Sequence, residues 1–261
     1  MVDDGGCDYT TELMLFYCDH SANIKYFKRP KDVVKGVGSC RNYGYKQSRG
    51  KFIMWLDDDD VLDCNKLQKQ MELTSPDKND LITCAWGRLE ENRRDLKDLS
   101  IYRDYEDPVK LLLDYAKLEY FPSHVFLVPR PLIEKTGLWN TSLKINEDGV
   151  FFTRIIVNAS RIKFASDTFV LYRGQTNNNI SKLDSVEKAY HLIKSWNIIE
   201  SLIPIDRRKE VAIFLYNIRR YVYNLLKQSG YRKVIIRNGF QFRNYILEDI
   251  KRKYREKFQI S

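Results

Sequence analysis

The sequence predicts an α/β fold, a mostly parallel sheet with flanking helices, followed by a helical C-terminal appendage. Three observations carry this. Over the first two-thirds of the chain, short apolar runs alternate with segments of helical spacing, as βα units do. One run, "FIMWL" (residues 52–56), ends on four consecutive aspartates, Asp57 to Asp60. From about residue 184 strand-like runs stop and long amphipathic segments take over. The charge changes there too: residues 206–261 hold 15 Lys and Arg against 5 Asp and Glu, so all of the net positive charge lies at that end. The expected division is residues 1–183 and 184–261.

In order, "TTELMLFYCD" (10–19) reads as a helix, "NIKYFKR" (23–29) as a short strand and "GSCRNYGYKQS" (38–48) as a helix. "KFIMWL" (51–56) reads as a buried strand, "KLQKQMELTS" (66–75) as a helix and "DLITCAW" (80–86) as an apolar strand. "SHVFLVPR" (123–130) is strand-like, with Pro129 and Pro131 ending it. "EDGVFFTRIIVNAS" (147–160) carries Val150, Phe151, Ile155 and Ile156 near helical spacing, and "RIKFASDTFVLYR" (161–173) is extended. Apolar residues at i, i+3, i+4 and i+7 mark helices over 185–203 and 210–230, the second stopped by Gly230. The last 30 residues read as amphipathic, basic helix.

With 43% hydrophobic and 30% charged residues the chain can bury a core. No apolar run approaches the length of a membrane-spanning helix, and no signal peptide is visible. Five cysteines without a CxxC pair read as reduced thiols, so the expected location is cytoplasmic. Three scattered histidines suggest no local metal motif, and no nucleic-acid module is recognised.

In an open α/β sheet, ligands bind beyond the carboxyl ends of strands. Four carboxylates at such an end repel one another unless a cation joins them. A hard divalent ion, Mg²⁺ or Mn²⁺, is commonly shared between one or two carboxylates and substrate phosphates. The plainer alternative is capping, with Asp60 or Asp63 at the start of "CNKLQKQ". Glu147 and Asp148 form a second acidic pair, which also suits the first turn of a helix.

The order of motifs resembles the family 2 glycosyltransferases. In "GVGSCRNYGYKQSRGKFIMWLDDDD", Gly36, Arg41, Asn42, Gly44, Gly50, Leu56, Asp57, Asp59 and Asp60 match the family pattern, while Cys40 and Ser48 stand where alanine is usual. "VDDGGCD" resembles V-D-D-G-S-x-D, with Gly6 replacing serine. "LIEKTGLWNTSLKINEDGVFFTRI" and "LYRGQTNNNIS" resemble the later segments, so the likeness covers roughly residues 2–181. It implies a GT-A, Rossmann-like fold and an inverting, metal-dependent transferase using a nucleotide-sugar, UDP-linked by expectation. Asp3 and Asp4 would hold nucleobase and ribose, and Arg41 the nucleobase or diphosphate. Asp57 and Asp59 would bind the metal, Asp57 facing ribose or metal, and Asp58 would border the nucleotide or only solvent. Tyr172 and Arg173 would close over the diphosphate. Asp148 would be the general base, with Glu147 beside it. Trp139 would pack against a sugar or in the core, and Gly44 would let its helix approach the sheet.

Family members begin with a strand-helix-strand before V-D-D-G-S, so the first βαβ unit is expected to be incomplete. The expected partners are a nucleotide-sugar donor and a saccharide or lipid-linked acceptor in surface polysaccharide or glycolipid assembly. The alternative is a truncated, inactive binding module. In "YILEDIKRKYREKFQI", Tyr245, Ile246, Ile250, Tyr254 and Phe258 would share one side of a helix ringed by Lys251, Arg252 and Arg255. Such a helix either contacts the anionic inner face of the cytoplasmic membrane or packs on the catalytic domain.

Overall fold

The computed structural model describes residues 1–75, 79–90, 93–173 and 182–258. Strand β1 (Val2–Asp3) pairs in parallel with β2 (Phe27–Lys28), with helix α1 (Asp8–His20) between them. Helix α2 (Val37–Gln47) lies against β1. A Cβ on Gly44 would meet Val2 Cγ2 at 3.3 Å, so this glycine permits the approach, as expected. Strand β3 (Phe52–Ile53) leads to the acidic turn, then β4 (Val61–Leu62) and α3 (Lys66–Glu72).

The longest strands are β5 (Leu81–Glu90) and β8 (Ile162–Arg173), which pair in parallel. Leu81 to Cys84 are fully buried, as in a strand covered on both faces. Their register jumps from Cys84↔Ala165 to Ala85↔Phe169. The resulting bulge carries Asp167, paired with Lys69, and Thr168, which donates to Asp63, so it anchors the start of α3. Strand β6 (Arg93–Leu96) runs antiparallel to β5, β4 antiparallel to β8, and β7 (Val128–Pro129) antiparallel to β3. The longest ladder is therefore parallel, as expected, with antiparallel strands added beside it: β6 follows β5 after two residues, too few for a parallel crossover.

Other segments also differ from their sequence reading. "SHVFLVPR" opens as a 3₁₀ turn (Ser123–Val125), and only Val128–Pro129 joins a ladder. Residues 121–129 are all buried, and an unbroken apolar run has no period to separate strand from turn. Pro131 opens helix α5 (Arg130–Thr136), where a missing N–H costs nothing. "KFIMWL" is laddered only at Phe52–Ile53, because its partner β7 has two residues. Helix α4 (Lys110–Tyr115) and strand β6 were not foreseen. Helix α6 (Glu147–Ile156) buries Val150, Phe151, Ile155 and Ile156 as its spacing predicted.

The C-terminal region forms α7 (Val186–Leu202), α8 (Ala212–Gln228), α9 (Arg232–Arg237) and α10 (Gly239–Phe258). Gly230, at φ 82°, ends α8 as expected. Ile199 and Ile203 near the end of α7, with Val211, Phe214 and Ile218 of α8, share the core of the sheet, packed with Trp55, Phe126 and Phe151. A second cluster joins Ile145, Leu192, Val222, Leu226, Val234, Ile235, Phe242 and Tyr245. The apolar side expected for the last helix is divided. Tyr245 is buried and donates to the Tyr216 carbonyl at 3.0 Å, and Ile246 packs with it. Ile250 and Tyr254 are more than half exposed, and the side chain of Phe258 lies outside the described residues. This helix therefore docks on the protein through its first half. Among the described residues no helix is long and apolar enough to cross a membrane.

One charge lies in the interior without a counter-charge in contact among the described residues. Lys66 is fully buried, its ammonium donating to Gln70 Oε1 (2.6 Å) and lying 3.2 Å from Met54 Sδ. Burial pulls its pKa from 10.5 down to about 8. The folded state then holds fewer protons than the unfolded one between these values, so stability rises with pH across that window. The destabilisation is full below about pH 8, where the shift corresponds to about 3 kcal/mol, and gone above 10.5. Lys66→Met leaves Gln70 short of one donor and should still be more stable at pH 7 by ~1–2 kcal/mol. Its advantage should shrink towards pH 10, as followed by melting temperature against pH for both proteins.

Candidate active site

The acidic turn follows β3. Asp60 N–H donates to the Asp57 carbonyl at 3.3 Å, turning the chain so that successive carboxylates point different ways. Asp57 faces Arg41 of α2, whose Nη2 donates to its Oδ1 at 2.7 Å. The same guanidinium brings Nη1 to 3.9 Å from Glu147 Oε1, at the first turn of α6. It lies 4.3 Å over the ring of Trp139. A single cation thus joins the two acidic pairs that stand 90 residues apart in sequence.

Asp58 is exposed at the tip. Asp59 is exposed as a residue, yet its carboxyl is held above the usual range, first by partial burial and then by Asp60, Asp58 and Asp57. Asp60 points inward with a fully buried side chain. Its Oδ1 accepts from the Arg173 N–H (2.9 Å), and Arg173 Nε donates to the Asp59 carbonyl (2.9 Å). Its Oδ2 lies 3.0 Å from Nδ1 of buried His124, a close approach without hydrogen-bond geometry. The His124 ring is stacked near Tyr172, centroids 6.1 Å apart. The end of β8 therefore holds the acidic turn from behind. Tyr172 and Arg173, expected to close over a diphosphate, thus stand at the back of the acidic turn, and the polar loop that follows them (174–181) lies outside the described residues.

Capping does not account for the four aspartates. Helix α3 is preceded by Asn65, which makes no side-chain cap, and it is Asp63 that accepts from the Asn65 N–H (3.3 Å).

Glu147 and Asp148 open α6 behind Asn146, which takes a left-handed φ of 58°. Asn146 Nδ2 donates to buried Ser195 Oγ at 2.9 Å, so α7 fixes the start of the helix. A Cβ on Gly149 would come within 2.2 Å of Asn146 Oδ1, so this turn needs glycine. Burial, then Asp148, raises the Glu147 carboxyl, against the pull of Arg41. Asp148 accepts from the Gly149 N–H at 2.8 Å. The Tyr120 hydroxyl is raised, first by burial, with Arg88 pulling it down and Asp148 adding a small push upward.

Asp3 is occupied locally. Its Oδ1 accepts from Gly5 (2.8 Å) and Gly6 N–H, and its Oδ2 from Tyr26 Oη (2.6 Å). Tyr26, then Gly6, holds its carboxyl below the usual range. Asp4 pairs with Arg29. The half-buried Cys40 thiol, pushed up to about 11 by burial and then by Asp4, joins this loop to α2 one residue before Arg41. Trp139 is a core residue, 3% exposed, with Arg41 over its ring and Phe151 stacked on it at 4.3 Å.

Residues not foreseen in the site are His124, Tyr120, Arg88, Tyr26 and Arg29. Sequence spacing gives no sign of His124, 64 positions beyond Asp60. Asn42 had a signal, its place beside Arg41. It donates to the Trp139 carbonyl (3.0 Å) and accepts from the Trp139 N–H (2.9 Å). Among the described residues no group of three or more His, Cys, Asp or Glu forms a ready metal cage.

Comparison with known proteins places this geometry. The sequence model of the family described as "Glycosyl transferase family 2" matches residues 1–173. An uncharacterized glycosyltransferase of Rickettsia typhi is 24% identical over 87% of this chain and 81% of its own. The uncharacterized glycosyltransferase EpsJ of Bacillus subtilis is 26% identical over 68% of this chain, which spans about half (52%) of that protein. Among solved structures, S. aureus TarS superposes with a TM-score of 0.63 at 16% identity, covering 84% of this chain and 60% of that one. The mannosyltransferase PcManGT of Pyrobaculum calidifontis, in complex with GDP-Man and Mn²⁺, gives 0.56 at 14% identity, covering 87% and 62%. The fold is that of the GT-A glycosyltransferases.

Replacing His124 by Phe keeps the ring but leaves the Asp60 carboxylate buried with one partner fewer. His124→Phe should lose about 1–3 kcal/mol in urea unfolding, the cost of leaving a buried polar group without its polar neighbour. Asp60→Asn combined with His124→Phe should recover part of that loss; additive losses would mean the two side chains are not coupled.

Proposed function

The chain belongs to glycosyl transferase family 2, and from that premise we propose that it is a divalent-metal-dependent, inverting glycosyltransferase. Its donor is a nucleotide-sugar, UDP-linked, and its acceptor a saccharide or lipid-linked saccharide in surface polysaccharide or glycolipid assembly on the cytoplasmic side. The carrying observation is Arg41, held between Asp57 on the donor side and Glu147 on the acceptor side. This supports reading the two acidic pairs as the two sides of one site. TarS has been solved in complex with UDP-GlcNAc and the Pyrobaculum enzyme with GDP-Man and Mn²⁺, which supports the donor class.

The donor set fits a metal shared with substrate. Asp59 is crowded by like charges, and Asp57 keeps one oxygen on Arg41. Together they offer too few ligands for an all-protein cage and enough for an ion completed by phosphate oxygens. Asp59 and Asp57 would hold Mn²⁺ or Mg²⁺, which when bound offsets the charge growing on the departing nucleoside diphosphate. Asp58, Tyr172 and Arg173 border the diphosphate, with Arg173 also fixing the turn. Asp3 and Asp4 shape the loop that meets nucleobase and ribose, and Arg41 binds at the nucleotide's edge.

Asp148 is the general base. It takes the proton from the acceptor hydroxyl as that oxygen attacks the anomeric carbon from the face opposite the diphosphate. The bond to the diphosphate breaks as the new glycosidic bond forms, so one displacement inverts the configuration. Glu147, beside it, orients the acceptor.

Calorimetry with UDP tests the donor side. Binding should tighten when Mn²⁺ is present, and Asp59→Ala should remove that gain; equal binding with and without metal would reject the bridge. Asp148→Asn should keep donor binding and lose transfer by about 10²-fold or more, while Glu147→Gln loses less. Transfer assayed against a panel of nucleotide-sugars decides this, and a fully active Asp148→Asn protein would move the base elsewhere.

A further inference from the structure

The strongest unassigned feature lies far from the rim, where α8 turns into α9 and α10. No Asp or Glu occurs between Val211 and Leu247, while Arg219, Arg220, Lys227, Arg232, Lys233, Arg237 and Arg243 all fall there. The cations of α8 are answered from outside this stretch: Arg219 by Glu200, Arg220 by Glu248 and Lys227 by Asp249. Arg232, Lys233 and Arg237 form no ion pair among the described residues. They line a cavity of about 380 Å³ with Tyr190, Tyr231 and Val186, and no carboxylate lines it. Arg237 Nη1 donates to Tyr190 Oη at 3.2 Å, which holds that guanidinium against the α7 wall.

Apolar side chains stand beside these cations. Val234 and Ile235 are buried, which fixes the roll of α9. At 100° per residue, Arg232, Ile236, Lys233 and Arg237 then follow one another around its outer face. Ile236 is 73% exposed, and Phe240, three residues beyond α9, is 95% exposed. An acidic or phosphate-bearing partner answers the cations. Only one with a hydrocarbon layer directly beneath its phosphates also answers an aliphatic Ile236 and a fully projecting Phe240. Nucleic acid supplies phosphates but gains nothing from isoleucine.

We propose that the outer face of α9 and the start of α10 dock on an anionic phospholipid bilayer, with Phe240 and Ile236 entering the interface and a phosphate headgroup seated in the cavity among Arg232, Lys233 and Arg237. This surface differs from the distal stripe of α10, whose first half packs inward, and it holds whatever reaction the rim performs.

Co-sedimentation of the full chain with phosphatidylcholine vesicles, with and without phosphatidylglycerol, tests it. The protein should pellet with the anionic vesicles only. Phe240→Ser and Ile236→Ser, at exposed positions that leave the fold intact by circular dichroism, should each weaken binding about tenfold. Arg232→Gln/Lys233→Gln/Arg237→Gln should abolish it. The same charge removed as Lys251→Gln/Lys253→Gln/Arg255→Gln should change it by less than about twofold. Equal pelleting with both vesicles, or with neither, overturns the proposal, as does an equal loss in the two triple variants, which would mean diffuse charge. Binding of a labelled oligonucleotide, unaffected by Phe240→Ser and without vesicle binding, would reassign the surface to nucleic acid.

Discussion

The rim of this protein depends on one guanidinium. Arg41 is only 11% exposed, and within its reach are carboxylates from two distant parts of the chain. Without it, Asp57 and Glu147 would face each other as like charges in a partly desolvated site. The cation is itself held in place by the Trp139 face beneath it. Trp139 cannot move, because Phe151 stacks on it and both its backbone groups are bound by Asn42. Two adjacent residues of α2 thus perform two tasks: Arg41 balances the charges and Asn42 fixes the surface against which that balance is struck.

Behind the rim, polar groups are buried in an ordered way. Asp60 is turned from solvent towards His124 and the Arg173 amide, so the last aspartate of the run anchors the turn while Asp59 remains at its edge. Lys66 and Gln70 continue this buried layer, with Gln70 Nε2 donating to the Val125 carbonyl at 2.8 Å, one residue beyond His124. The C-terminal helices complete the other side. Ser195 of α7 holds Asn146, and His191 Nδ1 accepts from the Lys144 N–H at 3.1 Å. The first turn of α6, with Glu147 and Asp148, is therefore positioned from the helical region as much as from the sheet.

Much of this was legible from residue patterns. Helices α1, α2, α6, α7 and α8 stand where apolar spacing put them, and Gly230 ends α8 because only a left-handed turn fits there. The strands were less legible. Apolar runs at 51–56 and 123–130 read as strands, but a buried turn and a two-residue ladder satisfy the same burial. Period and burial do not reveal strand direction either, so the antiparallel pairings of β6 with β5 and of β4 with β8 beside the long parallel ladder were not legible.

By itself the sequence determined the family, the acidic turn after β3, the second acidic pair at the start of α6 and the basic C-terminal third. Each is written in contiguous residues, whose local chemistry does not depend on what packs against them. The tertiary structure alone decided that Arg41 joins the two acidic pairs and that Asp60 faces His124 instead of solvent. It alone decided that Tyr245 turns inward while Ile236 and Phe240 project. These outcomes depend on pairing residues tens of positions apart and on the roll of each helix about its axis. Both are set by which buried side chains must fit together, a constraint that no short stretch of chain contains.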